Sequence, residues 1–413
     1  MSDLRHYAVV TGAYWGFTLT DGALRMLVLL HFHELGYSPL QIATLFLLYE
    51  FFGIVTNLLG GWIGARHGLR HTLLGGLALQ IVALVLLSRV DSGWALGLSV
   101  AYVMVMQALS GIAKDLTKMS SKSAIKLVVP EEAHGTLFRW VSGLTGSKNA
   151  LKGAGFFLGG LLLTLLGFAG ALLAMAGALA LVLLGALLLL PGDMGRAKAK
   201  VKFTQVLSKS PAINRLSVAR LFLFGARDVW FVVGLPVYLY DVLGWGFSEV
   251  GAFLALWVVG YGFVQVVAPG LLRGVGLASP LRATQVVTAV LVLLPLGMIL
   301  ALRQQVDAAT VLIGGLAVFA LLFAMASATH SFLILAYSDR DQVALNVGFY
   351  YMANAAGRLL GTVLSGWSYQ AGGLTACLGG AAGLLLVAGA LSWWLPQPAS
   401  DIQITPGAVA ADD

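Results

Sequence analysis

Residues Pro191–Asn214 read PGDMGRAKAKVKFTQVLSKSPAIN, and their reading decides the architecture. Arg196, Lys198, Lys200, Lys202 and Lys209 face one acid, Asp193, in a polar stretch with long apolar sequence on both sides. The 413-residue chain is 59% hydrophobic and only 10% charged, far below the ~25% charged residues of soluble domains. A chain this apolar is expected to be a polytopic membrane protein. The basic stretch then becomes a loop between two halves rather than a nucleic-acid arm. The single cysteine, Cys377, excludes an internal disulfide and a cysteine metal cluster.

Apolar runs bounded by Gly, Pro and charges predict twelve spans, at 8–30, 40–63, 72–88, 96–128, 137–166, 168–190, 213–239, 248–269, 283–301, 310–337, 342–368 and 373–395. The domains follow: a six-helix half over 1–190, a basic linker over 191–212, a second six-helix half over 213–395 and a polar tail over 396–413. Asp21 and Arg25 interrupt the first run and no small-residue cleavage site follows it, so it is read as a retained helix. With the N-terminus inside, twelve loop Lys/Arg residues are cytoplasmic and only Arg89 and Arg303 face out. That bias predicts cytoplasmic N- and C-termini.

The halves echo each other. DGALRM (Asp21–Met26) precedes LGY (Leu35–Tyr37) as GARDVW (Gly225–Trp230) precedes LGW (Leu243–Trp245), and NALKGAG (Asn149–Gly155) resembles NAAGRLLG (Asn354–Gly361). A parallel six-plus-six repeat resembles the layout of the major facilitator superfamily. GWIGARHGLR (Gly61–Arg70) is similar to that superfamily's loop between the second and third helices, with Gly61, Arg66, Gly68 and Arg70 in place and Ala65 where an acid is usual. GFFLGG (Gly155–Gly160) resembles the fifth-helix motif of drug–proton antiporters, with Phe156 in place of its proline. The expected fold is an all-α polytopic membrane protein of the major facilitator type, monomeric by default.

Eleven of the 25 basic residues fall within the spans: Arg25, Lys114, Lys118, Lys122, Lys126, Arg139, Lys148, Lys152, Arg220, Arg227 and Arg358. Only Asp21, Glu50, Asp115 and Asp228 oppose them. A lysine or arginine facing mid-bilayer lipid costs about 2.5–3.5 kcal/mol on the gentlest scale, so these groups are expected to face protein or water. They occupy spans one, four, five, seven and eleven, and none lies in spans three, six, nine or twelve. The resemblance places the latter four outside the central cavity. Lys114, Lys118, Lys122 and Lys126 recur at every fourth residue, a stripe about 18 Å long on one helix.

Snorkelling suits Lys126 and Arg139 near a membrane edge, and Arg227–Asp228 or Lys114–Asp115 suit structural pairs. Lys118, Lys122, Lys148 and Lys152 also suit a network with Glu50. Eleven cations against four acids nevertheless leave an excess, and a small polyanionic ligand would balance it. Arginine offers oxyanions a two-pronged fork and lysine a movable point charge. The expected substrate-binding set is Arg25, Lys114, Lys118, Lys122, Lys148, Lys152, Arg220, Arg227 and Arg358. The expected coupling or gating set is Asp21, Glu50, Asp115, Asp228, Arg66 and Arg70. Asn57, Tyr261, Gln265, Asn346, Tyr350 and Asn354 are candidate hydrogen-bonding groups, and His330 reads as a packing residue.

GLTGSKN (Gly143–Asn149) misses the phosphate-loop pattern, so no ATPase is expected. No nucleophile–base constellation or metal cluster is evident, so no enzyme, cofactor or metal is expected.

TLTDGALRMLVLLHFHELGYSPLQIA (Thr18–Ala43), SGIAKDLTKMSSKSAIKLVVP (Ser110–Pro130), GSKNALKG (Gly146–Gly153) and LFLFGARDVWFVV (Leu221–Val233) resemble the organoarsenical efflux permeases called ArsJ. The resemblance implies export of 1-arseno-3-phosphoglycerate across a bacterial inner membrane, with a glyceraldehyde-3-phosphate dehydrogenase as functional partner making the ester from arsenate. One proposed geometry puts Arg25, Lys114 and Lys118 on one oxyanion and Arg220, Arg227 and Arg358 on the other. An organophosphate importer or phosphate exchanger would need the same cations. A cationic-drug antiporter fits them poorly, and a membrane sensor would need a soluble output domain.

Overall fold

A computed structural model describes residues 2–67, 69–91, 93–124, 134–191, 210–277, 279–337 and 343–398. The central loop over 192–209 and the tail from 399 onward lie outside the described residues, so the predicted domain boundaries there are left as expectations. Among the described residues regular structure is helical throughout: α1 (Ser2–Glu34), α2 (Pro39–Leu45), α3 (Leu47–His67), α4 (Leu69–Leu87), α5 (Leu96–Ala124), α6 (His134–Leu189), α7 (Pro211–Phe231), α8 (Gly234–Asp241), α9 (Phe247–Gly274), α10 (Pro280–Arg303), α11 (Ala308–Ala336) and α12 (Val343–Trp393). Among the described residues eight helical stretches are long and apolar enough to cross a membrane.

Two of the spans predicted from sequence are each built from a pair of helices. α2 and α3 form the second span and meet at Phe46. α7 and α8 form the seventh and break at Val232–Val233. Pro236, just after that break, has no N–H to continue the helical ladder. The amides of Val233 and Gly234 instead donate to Ser365 Oγ, each at 3.1 Å. That restores the hydrogen bonding a membrane interior cannot supply from water.

Two other helices are double crossings. α6 is 56 residues long and turns at Gly167 (φ 65, ψ −179), and α12 is 51 residues long and turns at Gly373 (φ 64, ψ −159). Positive φ at this extended ψ is strained for residues with a Cβ, so glycine ends the fifth and the eleventh spans in the same way.

The repeat extends to packing. In the first half Gly155 and Gly159 of α6 lie against Leu19, Gly22 and Ala23 of α1, so closely that a methyl on either would strike α1 backbone. In the second half Gly357 and Gly361 of α12 lie in the same way against Leu221 and Gly225 of α7. Glycines four apart let membrane helices cross backbone to backbone. These two crossings set one charged helix against another near the centre of each half.

The halves meet along α6 with α9 and along α2 and α3 with α12. A methyl on Gly160 would meet the Phe247 backbone, one on Gly251 the Phe156 backbone, and one on Gly366 the backbone of Pro39. A Cβ at Gly366 would lie 2.6 Å from the Pro39 carbonyl, so the two halves touch backbone to backbone near the end carrying the Gly373 turn.

Apolar side chains cover the periphery. Leu181 and Leu188 of α6, Leu256 and Phe263 of α9 and Leu293 of α10 are exposed, as a lipid-facing surface requires. The C-terminal half adds an interlocked aromatic core of Trp230, Trp257, Phe319 and Phe323.

Candidate functional site

Arg25 of α1, Glu50 of α3, Lys114, Asp115 and Lys118 of α5, Lys152 of α6, Arg220, Arg227 and Asp228 of α7 and Arg358 of α12 turn away from the lipid face. Glu50, Asp115 and Asp228 are each 1% exposed, and the Arg25, Arg227, Arg358 and Lys118 side chains are 20% exposed or less. Helix periodicity explains the grouping, since large apolar side chains such as Trp15, Phe51, Val105, Phe157, Val218 and Val363 occupy the outer faces of the same helices.

The centre is Glu50. Its Oε1 accepts from Arg25 Nη2 at 3.2 Å and from Arg358 Nη2 at 2.5 Å. Arg25 belongs to the first half and Arg358 to the second, so one carboxylate ties the halves together. Oε2 of Glu50 has no hydrogen-bond partner among the described residues. Arg358 Nε also faces Asp228 Oδ2 at 3.5 Å, and Asp228 Oδ1 is bonded by its neighbour Arg227 at 2.6 Å.

The remaining acids are engaged locally. Tyr49 donates to Asp21 Oδ1 at 2.6 Å. Asp115 accepts from Thr56 and pairs with Lys118 at 3.3 Å, while Lys118 Nζ also donates to Asn57 Oδ1 at 2.6 Å. Sequence adjacency suggested Lys114 as the partner of Asp115. The helix instead favours Lys118, because neighbours point about 100° apart and residues three apart share a face. Lys114 places its ammonium over the Tyr49 ring at 4.0 Å. Lys152 lies 5.8 Å from the Phe156 ring.

Arg220 is 4% exposed and is held by neutral groups alone among the described residues. Nε donates to Asn354 Oδ1 at 3.0 Å, and Nη1 donates to Ser327 O at 3.1 Å and to Ser327 Oγ at 3.0 Å. Tyr261 OH and Gln265 Nε2 donate to the same Ser327 hydroxyl, at 3.2 and 3.3 Å. The guanidinium lies 4.0 Å from the Phe224 ring and 5.0 Å from Tyr350. Arg227 is ringed by Phe224, Phe323 and Phe231 at 4.8, 5.6 and 5.9 Å.

These seven cations thus stand around four carboxylates, and among the described residues their ion pairs draw on Glu50, Asp115 and Asp228. Lys114, Lys152 and Arg220 form no ion pair among the described residues. Lys148 lies one turn before Lys152 and is half-buried. Arg25 and Arg358 converge, whereas Arg220 sits apart on Ser327 and Asn354. Arg70 donates to the Leu187 carbonyl at 3.3 Å, away from this cluster. Lys126 and the side chains of Arg66, Lys122 and Arg139 lie outside what the structure describes. Tyr49, Thr56 and Ser327 are site residues that sequence reasoning missed. A hydroxyl in an apolar helix gives no local signal that a distant cation will use it. His330 is buried in the second half with neither ring nitrogen hydrogen-bonded among the described residues. Among the described residues no cluster of ligating side chains suits a metal.

The sequence profile described as Major Facilitator Superfamily matches residues 10–329. Comparison with curated protein sequences found no match. Three solved structures are similar in fold at low identity. A POT family transporter in complex with a thioalcohol-conjugated peptide shares 15% identity at a TM-score of 0.71, over 94% of this chain and 95% of the other. A POT family transporter in complex with 5-aminolevulinic acid shares 14% at 0.73, over 94% and 95%. A bacterial homologue of the iron transporter ferroportin in an inward-facing state shares 18% at 0.64, over 94% and 98%.

Proposed function

The chain belongs to the major facilitator superfamily and is a multi-pass secondary transporter, and we propose that its cargo is a small organic polyanion, 1-arseno-3-phosphoglycerate, exported from the cytoplasm. The observation that carries this reading is the imbalance of charge. Among the described residues seven inward-turned cations meet four carboxylates at membrane depth, and a buried charge without a counter-charge is costly. A ligand with two oxyanion ends supplies the missing negative charge at two places. The arsenate end suits Arg25 and Arg358 where the halves meet, with Lys114 and Lys152 beside them. The phosphate end suits Arg220 and Arg227, whose surroundings are neutral or aromatic. A cationic drug would meet a site of net positive charge there.

Two further points favour this cargo and direction. The stretches around Asp21, Lys114–Lys126, Lys148–Lys152 and Arg227 resemble organoarsenical efflux permeases. In addition, the lysine- and arginine-rich loops set the cytoplasmic side, from which the cargo moves outward. An interior-negative potential drives each exported negative charge with about 2.3 kcal/mol per 100 mV, so a polyanion leaves downhill. The chain then resides in a bacterial inner membrane with both termini cytoplasmic. Glyceraldehyde-3-phosphate dehydrogenase is its functional partner because that enzyme forms the acyl arsenate.

The test is arsenate resistance of a sensitive strain given this gene with and without the dehydrogenase. Resistance that requires both is expected. Resistance from the transporter alone, or none from the pair, overturns the reading. A phosphate or organophosphate exchanger is the competing reading, and labelled phosphoglycerate uptake that depends on counter-phosphate would favour it.

A further inference from the structure

The bond pattern at Glu50 is unlike that of a finished structural salt bridge. Both arginines use one terminal nitrogen, and both use it on the same oxygen, Oε1. The second oxygen, Oε2, is buried and without a hydrogen-bond partner. Arg358 Nε is likewise without one, facing Asp228 at a distance too long and poorly aligned for a bond. Neither guanidinium presents its two-pronged face to Glu50, although that face is the geometry arginine uses best on oxyanions. Glu50 therefore screens both arginines without saturating either.

Arginine does not lose its proton in proteins, whereas lysine can. Arg25 and Arg358 therefore stay charged whether or not a ligand is present, and Lys114 and Lys152 are the next cations around Glu50. The two arginines also belong to opposite halves, the bodies that must move past one another during transport. An empty carrier that exposed these two guanidiniums without an anion would stall.

We propose that Glu50 is a tethered stand-in for the cargo's oxyanion: it occupies Arg25 and Arg358 when the carrier is empty, so the carrier returns without a counter-anion. This inference rests on the polyanion reading above and adds the transport mode. Cargo displaces Glu50 by offering two oxygens to each fork. After release, Glu50 swings back and the screened interface resets. The result is net export driven by membrane potential instead of obligatory exchange. The lower bond count of Glu50 is essential here, because a saturated bridge would exclude the cargo.

The test uses the purified full chain in liposomes loaded with a carbon-14-labelled arsonate analogue in which a methylene replaces the labile bridging oxygen of the acyl arsenate. Net efflux is measured into anion-free buffer at an interior-negative potential, and exchange is measured against unlabelled analogue outside. Wild type is expected to perform both, with net efflux unchanged when the pH gradient is collapsed. Glu50→Gln keeps the shape and removes the charge. It is expected to exchange within about threefold of wild type and to lose net efflux about a hundredfold, the factor an uncompensated mid-membrane cation imposes. Glu50→Asp, which keeps the charge, is expected to retain net efflux within about tenfold. The proposal is overturned if Glu50→Gln keeps net efflux, if it loses exchange as well, or if wild-type efflux needs a pH gradient, which would make Glu50 a proton carrier. A wild type that moves the analogue in neither assay contradicts the cargo reading itself, which separates the two failures.

Discussion

The two halves build the same helix crossing and furnish it differently. In the first, Gly155 and Gly159 bring α6 against α1, and the cations nearby are mostly lysines: Lys118 bonded to Asn57 and Asp115, Lys114 laid over Tyr49 and Lys152 near Phe156. In the second, Gly357 and Gly361 bring α12 against α7, and the cations are arginines set in aromatic surroundings, Arg220 and Arg227 sharing Phe224. Lysine is a compact, mobile charge, while arginine is a fixed planar donor set that stacks on rings. One half thus offers adjustable charge and the other offers fixed geometry. A cargo with two unlike anionic ends is a natural match for such asymmetry, and a symmetric ligand would not require it.

The comparison can be broken at its strongest point by Arg358→Ala. This change leaves Glu50 and Asp228 short of a partner, and removing one member of a buried pair costs about 3–5 kcal/mol. Melting in detergent should fall clearly and export should drop beyond a hundredfold. Unchanged melting would mean that the cross-half bridge carries no weight. Next in size, Gly155→Leu and Gly357→Leu should each destabilise by about 1–3 kcal/mol or more through overpacking at the crossing. Similar losses of melting temperature at both positions would confirm the repeat in energetic terms, and a loss confined to one half would deny it.

Arg220→Lys and Lys114→Arg sharpen the contrast. Arg220→Lys gives up the Nε bond to Asn354 and the paired contacts with Ser327, and should weaken binding of a stable arsonate analogue about tenfold or more. Lys114→Arg keeps the charge over Tyr49 and should shift binding less than about threefold. Equal effects measured by titration calorimetry would erase the distinction between the halves. Smallest is Ser327→Ala, which removes one of three acceptors on Arg220 while the Ser327 carbonyl remains. A loss near 1 kcal/mol, or about fivefold in affinity, is expected.

Much of the fold was legible from residues alone. Apolar run lengths, the basic stretch after Pro191 and the Asn149/Asn354 echo together indicated two six-helix halves, because lipid leaves a chain few ways to satisfy its backbone. The breaks within spans were not legible. The kink before Pro236 depends on Ser365, more than a hundred residues away, accepting the freed amides. At the site, uneven charge was readable because burying cations is expensive wherever they point. Pairing was not. Lys114 and Asp115 are adjacent in sequence yet turn apart, and Arg25 reaches Glu50 on a helix that α1 meets only through the tertiary fold. Tyr49 and Ser327 were invisible for the same reason, since a hydroxyl becomes a ligand partner only through tertiary placement.

The most direct measurement is titration calorimetry of the purified chain with two analogues, one carrying both arsonate and phosphate groups and one with the phosphate replaced by a neutral hydroxyl. A site with surplus cations on both halves predicts binding about a hundredfold tighter for the doubly charged analogue, the difference that lost charge-assisted hydrogen bonds impose. Equal affinities would contradict it, since the cations of the second half would then not meet the cargo.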